Sequence, residues 1–226
     1  MDKYNIIGRS RAGSLVIEFL FHEANVDYDI SFLDKDEQKS PEFLNNNPLG
    51  RIPVLICPDG KVIFESLAII GHLVEKFDGL APKVGDELRD KYNQYMALMA
   101  TSIYPAYHRQ YHTYQYGPSS SFDYIRKCAR EVNDLLFDHL EFVLNPFICG
   151  KDISAADFYL YMLCLWEGDK DALVLNRPNL NNFLDKLKSR ESVIKVLSSQ
   201  PKNKKTSNNK SWVIKDKKFV QVTYKL

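Results

Sequence analysis

The sequence predicts two folds in succession along a chain of 226 residues: a small α/β domain, then an all-helical one. Three observations carry this. Before residue 78 the apolar spacing switches between strand-like and helix-like in the order β-α-β-loop-β-β-α, which fits a compact α/β unit. After residue 87 the spacing is helical throughout. Between the two lies "DGLAPKVGDE" (78–87), where glycine, proline and charge concentrate as in a linker. The expected boundaries are 1–79 for the first domain, 80–86 for the linker, 87–198 for the helical domain and 199–226 for a tail.

The elements follow in order. "KYNIIG" (3–8) reads as a short buried strand ending at a glycine. "SLVIEFLFHEAN" (14–25) sets apolar residues at 15, 16, 19, 20 and 24, a helical stripe; Ser14 is its expected N-cap and Asn25 its left-handed end. "VDYDISFL" (26–33) alternates as a strand does, and a short helix is expected around Pro41–Leu44. "GRIPVLICPDGKVIFES" (50–66) reads as a hairpin, Val54–Ile56 against Val62–Phe64, reversing at Pro58-Asp59-Gly60. "SLAIIGHLVEKF" (66–77) is helical again. In the second half, Leu88, Tyr92, Tyr95, Met99 and Ile103 share one face of a long helix that Pro105 is expected to kink. Phe122, Ile125, Ala129, Val132, Leu136, Leu140 and Val143 share a face of another. Shorter helices are expected at about 154–167, 178–190 and 191–198.

Composition narrows the function. A hydrophobic content of 45% and a charged content of 26% are those of a soluble globular protein. No apolar run approaches the roughly 20 residues that a membrane helix needs, and "MDKYNIIGRS" lacks the zones of a signal peptide, so a cytoplasmic location and no membrane partner are expected. The four cysteines (57, 128, 149, 164) are scattered, with no metal spacing; they read as small buried hydrophobes. Net charge is +1, but residues 1–198 carry −6 and residues 199–226 carry +7. Nucleic acid is therefore not expected as a partner except through the basic tail. That tail opens with a polar, lysine-rich stretch expected to be disordered; "WVI" and "FVQVTY" around "KDKK" suggest a small hairpin or a strand paired to a sheet edge.

"Asn47-Pro48-Leu49-Gly50-Arg51-Ile52-Pro53-Val54-Leu55", with "Glu65-Ser66" beginning eleven residues after Val54, resembles the glutathione S-transferase superfamily. "Gly150-Lys151-Asp152-Ile153-Ser154-Ala155-Ala156-Asp157" is similar to the capping box of that family's helical domain. The resemblance covers about 1–198 and implies a thioredoxin-like N-terminal domain followed by an all-α helical bundle. It also implies a cis Pro53, which leaves the main chain of Ile52 open to the cysteinyl part of glutathione, as an added strand would be. Arg51, Ile52, Pro53, Glu65 and Ser66 are then the glutathione-binding residues, Ser66 meeting the γ-glutamyl carboxylate at a helix N-terminus and Glu65 its ammonium. Ser154 and Asp157 are expected to be structural.

By the same resemblance, the thiol is activated by a donor at the end of the first strand. "Gly8-Arg9-Ser10-Arg11-Ala12-Gly13-Ser14-Leu15" has no cysteine, and Tyr4 falls too early in the strand. Ser10 matches when the strand end is aligned. When the helix is aligned, Gly13 takes the place of the bacterial cysteine and Ser14 that of the serine after it. Ser10, Ser14 and the cationic Arg11 are the catalytic candidates, and the choice stays open. "Thr101-Ser102-Ile103-Tyr104-Pro105-Ala106-Tyr107-His108-Arg109-Gln110-Tyr111-His112" is aromatic and basic, so Tyr104, Tyr107, His108 and Arg109 are candidates for a pocket that takes a flat or anionic electrophile. His108 and His112 lack a third ligand, so no metal is expected. The family likeness implies a homodimer and detoxification chemistry, with glutathione as co-substrate and a small electrophile as second substrate. A non-catalytic, protein-binding adaptor is the alternative, and a glutathione-dependent isomerase or dehalogenase would share the fold.

Overall fold

The computed structural model describes residues 3–201, 210–215 and 218–223. Its first half is a four-stranded sheet in the order β2-β1-β3-β4. Strand β1 (Tyr4–Gly8) pairs parallel with β2 (Tyr28–Phe32) and antiparallel with β3 (Val54–Ile56), which pairs antiparallel with β4 (Val62–Phe64). The first helix, α1 (Leu15–Glu23), links β1 to β2. A short α2 (Pro41–Asn46) starts at Ser40, whose hydroxyl accepts from the Phe43 N–H at 3.2 Å, and α3 (Ser66–Lys76) follows β4. This is a thioredoxin-like unit.

The helical half begins with α4 (Arg89–Leu98), continues through a five-residue π turn at Met99–Ile103 and runs on as α5 (Tyr104–Tyr111). Pro105 explains the wide turn: without an N–H, and with a ring pressing on the preceding turn, it stretches the helix locally. The expected kink is thus a π turn, and the helix carries on past it. Next come α6 (Phe122–Val143), α7 (Ala155–Leu165), the short α8 (Lys170–Val174), which the sequence reading missed, α9 (Pro178–Lys188) and α10 (Glu191–Ser199). Strands β5 (Lys210–Lys215) and β6 (Lys218–Thr223) form an antiparallel hairpin with Trp212 opposite Gln221. The expected polar stretch at 202–209 lies outside the described residues.

Two helices hold the halves together. Every residue of α1 from Leu15 to Phe21 is buried, and so is every residue of α7 from Ala155 to Cys164. Helices buried all round belong inside a core and not at its surface. Helix α1 packs on α3 beneath the sheet and on α7 and α10 of the other half. The buried stripe of α6 departs from expectation: it is Arg126, Ala129, Asn133, Phe137, Leu140 and Glu141, while Val132 is exposed. Polar partners account for the shift. Arg126 donates to Thr113 Oγ1 at 3.1 Å, and Glu141 caps α9 through the N–H groups of Asn179 and Leu180, at 2.9 and 2.8 Å.

Ser154 and Asp157 form the expected capping box at the start of α7. The fully buried Asp157 carboxylate accepts from the Ser154 N–H, the Ser154 hydroxyl and the Ile148 N–H, each at 2.8 Å. Burial pushes this acid up to about 6 against those three donors, so at neutral pH it is still an acceptor. Helix α1 ends as read, with Asn25 left-handed (φ 53°), the Val26 N–H bonded to Phe21 O and the Asn25 N–H to His22 O. All four cysteines are free, and Cys57, Cys149 and Cys164 are buried.

Candidate functional site

The site lies where the β1–α1 loop, the loop before β3 and the N-terminus of α3 face α5 and the end of α7. The loop is built first. Gly8 has no side chain because Ser14 fills its place: a Cβ there would stand 2.4 Å from Ser14 Oγ. Ser14 is fully buried, its hydroxyl donating to Arg9 O at 3.1 Å and accepting from the Arg9 N–H at 3.3 Å. It therefore pins the loop from below and points away from the site. It does not cap α1 either, since its φ and ψ (−70°, −21°) are already helical and its side chain makes no cap bond. The expected cap role of Ser14 gives way to this one.

Arg11 turns the loop with φ 57°. The Arg11 N–H donates to Gln200 Oε1 at 3.1 Å, and its carbonyl accepts from the Trp166 indole at 3.0 Å. Ser10 lines the cavity, with its hydroxyl 3.5 Å from Pro201 O, at the outer limit of a hydrogen bond. Gln200 also donates to Glu18 at 2.9 Å; that carboxyl, buried in α1, is pushed up to about 8 by desolvation.

The second wall is the loop before β3. Buried Asn47 fastens it, donating to Arg51 O at 2.7 Å and accepting from the Leu49 N–H at 3.1 Å. Gly50 takes φ 63°, and a Cβ there would crowd Gln38 O at 3.3 Å. The Ile52–Pro53 bond is cis. Among the described residues, neither the N–H nor the C=O of Ile52 has a hydrogen-bond partner. Glu65 precedes α3 with φ 71° and ψ 119°, a conformation that costs a non-glycine residue roughly 1–3 kcal/mol and tends to persist where function demands it. Ser66 opens the helix beneath it, where free N–H groups gather. Tyr159, from α7, hydrogen-bonds to Ser66, and burial pushes its phenol well above the ordinary tyrosine value.

A cavity of about 410 Å³ lies between the β1–α1 loop, α5 and Trp166; Arg51, Ile52, Pro53, Glu65 and Ser66 are not among its lining residues. Of the expected residues it brings together Ser10, Arg11, Tyr104, Tyr107 and His108; Arg109 is not among its lining residues. It adds Arg9, Ala12, Gly13, Tyr111, His112 and Trp166, which sequence reasoning did not select. Trp166 sits just past α7, and only its rarity (two tryptophans in the chain) could have flagged it. The aromatic floor is anchored from behind. Tyr107 donates to buried Glu167 at 3.3 Å, Glu167 pairs with Arg130 at 2.5 Å, and the Tyr111 hydroxyl donates to Trp166 O at 2.6 Å.

The cavity is electropositive. His112 is held down to about 4 by desolvation and by His108, Lys35 and Arg9. His108 is lowered by desolvation, Arg51 and Arg109. Both imidazoles are therefore neutral at pH 7 among fixed cations, and His108 Nδ1 lies 2.8 Å from the Tyr116 hydroxyl. No group of three metal-ligating side chains occurs among the described residues.

A thioredoxin-like sheet with an unpaired Ile52 main chain just before β3, beside the start of α3 and roofed by a helical bundle, defines a glutathione-binding, transferase-like protein. Known proteins point the same way. Residues 1–75 match "Glutathione S-transferase, N-terminal domain" and residues 108–200 match "Glutathione S-transferase, C-terminal domain". Glutathione S-transferase F10 of Arabidopsis thaliana is 30% identical over 183 residues, covering 75% of this chain and 81% of that protein. GstA of Escherichia coli O157:H7 is 25% identical over 205 residues, covering 84% and 94%. Among solved structures, a Sulfitobacter glutathione transferase homologue with bound glutathione superposes with a TM-score of 0.79 at 23% identity, covering 88% of this chain and 98% of that one. The chain belongs to the glutathione S-transferase family.

Proposed function

We propose that this protein is a glutathione transferase that joins the sulfur of glutathione to a flat, anionic electrophile. One observation carries the reading: the Ile52 main chain has no partner beside cis Pro53, whose ring lies next to Gly13 of the cavity lining, while the strained Glu65 and Ser66 begin α3. A tripeptide extended along the segment before β3 would pair with Ile52. Its γ-glutamyl carboxylate would rest on the α3 N-terminus and its ammonium would face Glu65. The thiol would then point towards the cavity, where bound proximity favours attack on the second substrate.

The lining sets the expected substrate class. Arg9 and Arg11 offer positive charge, while Tyr111 and Trp166 offer flat apolar faces over the buried Tyr107. A homodimer fits the exposed apolar group Val62, Phe64 and Leu67 on β4 and α3. In the adaptor reading, which keeps the fold without the chemistry, the loop serine hydroxyls matter most: Ser14 is buried and Ser10 is aimed at Pro201.

The test is calorimetric titration with glutathione, followed by conjugation kinetics with a chlorodinitrobenzene and with a carboxylated aromatic halide. Glutathione binding with turnover of both, and a lower KM for the carboxylated substrate, is expected. Binding without turnover of either makes the protein an adaptor.

A further inference from the structure

On the β1–α1 loop, the Ser14 hydroxyl is buried against Arg9 and the Ser10 hydroxyl is turned towards Pro201 O at 3.5 Å. The helical half supplies another hydroxyl. Gly13 is buried, yet it is not among the glycines with positive φ, so backbone conformation does not require a glycine there. Space does. A Cβ on Gly13 would stand 3.3 Å from the Tyr104 hydroxyl oxygen, 3.7 Å from its ring and 3.8 Å from Pro53 Cδ. The Tyr104 hydroxyl thus comes down from α5 against the β1–α1 loop, beside the proline whose neighbour Ile52 would pair with the cysteinyl residue of glutathione. Among the described residues that hydroxyl has no hydrogen-bond partner.

From this geometry we infer that Tyr104 is a catalytic residue that donates its O–H to the glutathione thiolate, replacing a donor on the β1–α1 loop. The inference rests on the glutathione-binding reading above and names the thiol partner that reading leaves open.

Three further features fit. The ring is held edge-on to Trp166, with centroids 5.0 Å apart and planes at 76°, and the Trp166 indole is itself tied to Arg11 O. The hydroxyl is therefore positioned relative to the same loop that would carry the donor in other members. Desolvation raises the Tyr104 pKa, with Arg9 and Arg51 opposing the rise and Glu65 adding to it. The phenol stays protonated at neutral pH and can donate but cannot act as a base. In the step, the thiol proton leaves to solvent water, Tyr104 keeps its own proton and hydrogen-bonds to the sulfur anion, and the sulfur lone pair forms the new S–C bond as the electrophile's leaving group departs with its electrons.

The experiment measures the ionisation of bound glutathione by thiolate absorbance against pH, and kcat/KM for a chlorodinitrobenzene, in the parent, Tyr104→Phe and Gly13→Ala. Tyr104→Phe removes only an oxygen that has no protein partner. Gly13→Ala keeps the tyrosine and pushes its hydroxyl aside. A hydrogen bond to a charged group has a strength that predicts a rise in thiol pKa of about one to two units, and a roughly 10- to 100-fold fall in kcat/KM, for Tyr104→Phe. Gly13→Ala should change both in the same direction, and at a pH below the pKa of the bound thiol neither variant should weaken glutathione binding more than about twofold. Unchanged thiol ionisation in Tyr104→Phe, or an effect that appears in Ser10→Ala instead, overturns the inference while leaving glutathione binding intact. Failure of the parent to bind glutathione overturns the proposed function itself and the inference with it.

Discussion

Replacing Asp157 with alanine removes an acceptor that three donors share inside the core. Its Oδ1 takes the Ile148 N–H and its Oδ2 takes both the N–H and the hydroxyl of Ser154, all at 2.8 Å, in a residue with no solvent exposure. Alanine leaves two buried main-chain N–H groups without partners; the serine hydroxyl can turn elsewhere. At about 1–3 kcal/mol for each of the two orphaned donors, the loss should be roughly 2–6 kcal/mol, a large share of an ordinary domain's stability. Asp157→Asn keeps one acceptor oxygen for Ile148 but turns an NH2 towards the Ser154 N–H, so it should cost about half as much. With a urea m-value of about 3 kcal/mol per M for a chain of this size, the alanine variant should unfold roughly 0.7–2 M earlier. Urea unfolding followed by circular dichroism reads this directly. Glutathione affinity, measured where the variant is still folded, should fall less than stability does. A loss below about 1 kcal/mol for the alanine variant would refute the argument, because the carboxylate would then not be satisfying those donors.

Stability should fall as pH rises from about 4.5 to about 8. Glu18 has its acid held up to about 8 by burial, against an ordinary 4.5, so in that window the folded chain keeps a proton that the unfolded chain releases. Glu18→Gln should flatten that slope and stabilise the protein at the alkaline end by an amount on the order of a few kcal/mol, as seen in unfolding curves at several pH values. Gly8→Ala should lower the melting temperature and loosen the β1–α1 loop, because its methyl group would meet Ser14 at 2.4 Å; a simultaneous Ser14→Gly should recover part of the loss in a double-mutant comparison. Arg9→Gln should raise KM for a carboxylated aromatic electrophile several-fold more than for a neutral one, with the difference shrinking in high salt.

The sequence was most legible where function is written in short local spacing. Pro53 with Glu65-Ser66, and Ser154 with Asp157, each declare a turn or a helix start whose chemistry needs those residue types within a few positions. The amphipathic helices were legible for the same reason, as was the left-handed Asn25. What stayed hidden depends on contacts distant in the chain. Arg9, His112 and Trp166 reach one cavity only because α1 and α7 bury each other completely, and a helix buried on every side carries no stripe to read. The polar stripe of α6 misled because Arg126 and Glu141 are paired with Thr113 and the α9 N-terminus, partners that local sequence does not reveal. Ser14 looked like a cap or a nucleophile's partner because nothing in the sequence shows that Gly8 leaves room for it below the loop.

The account depends on glutathione lying along the Ile52 segment before β3 with its γ-glutamyl end on α3. Two-dimensional amide NMR of the labelled protein, titrated with glutathione and separately with cysteinylglycine, tests this most directly. The account predicts that the Ile52 and Ser66 amides shift together with glutathione on one binding curve, while the dipeptide, lacking the γ-glutamyl carboxylate, moves Ser66 little and binds at least tenfold more weakly. Glutathione shifts confined to other parts of the protein, or equal affinity for the two peptides, would contradict it.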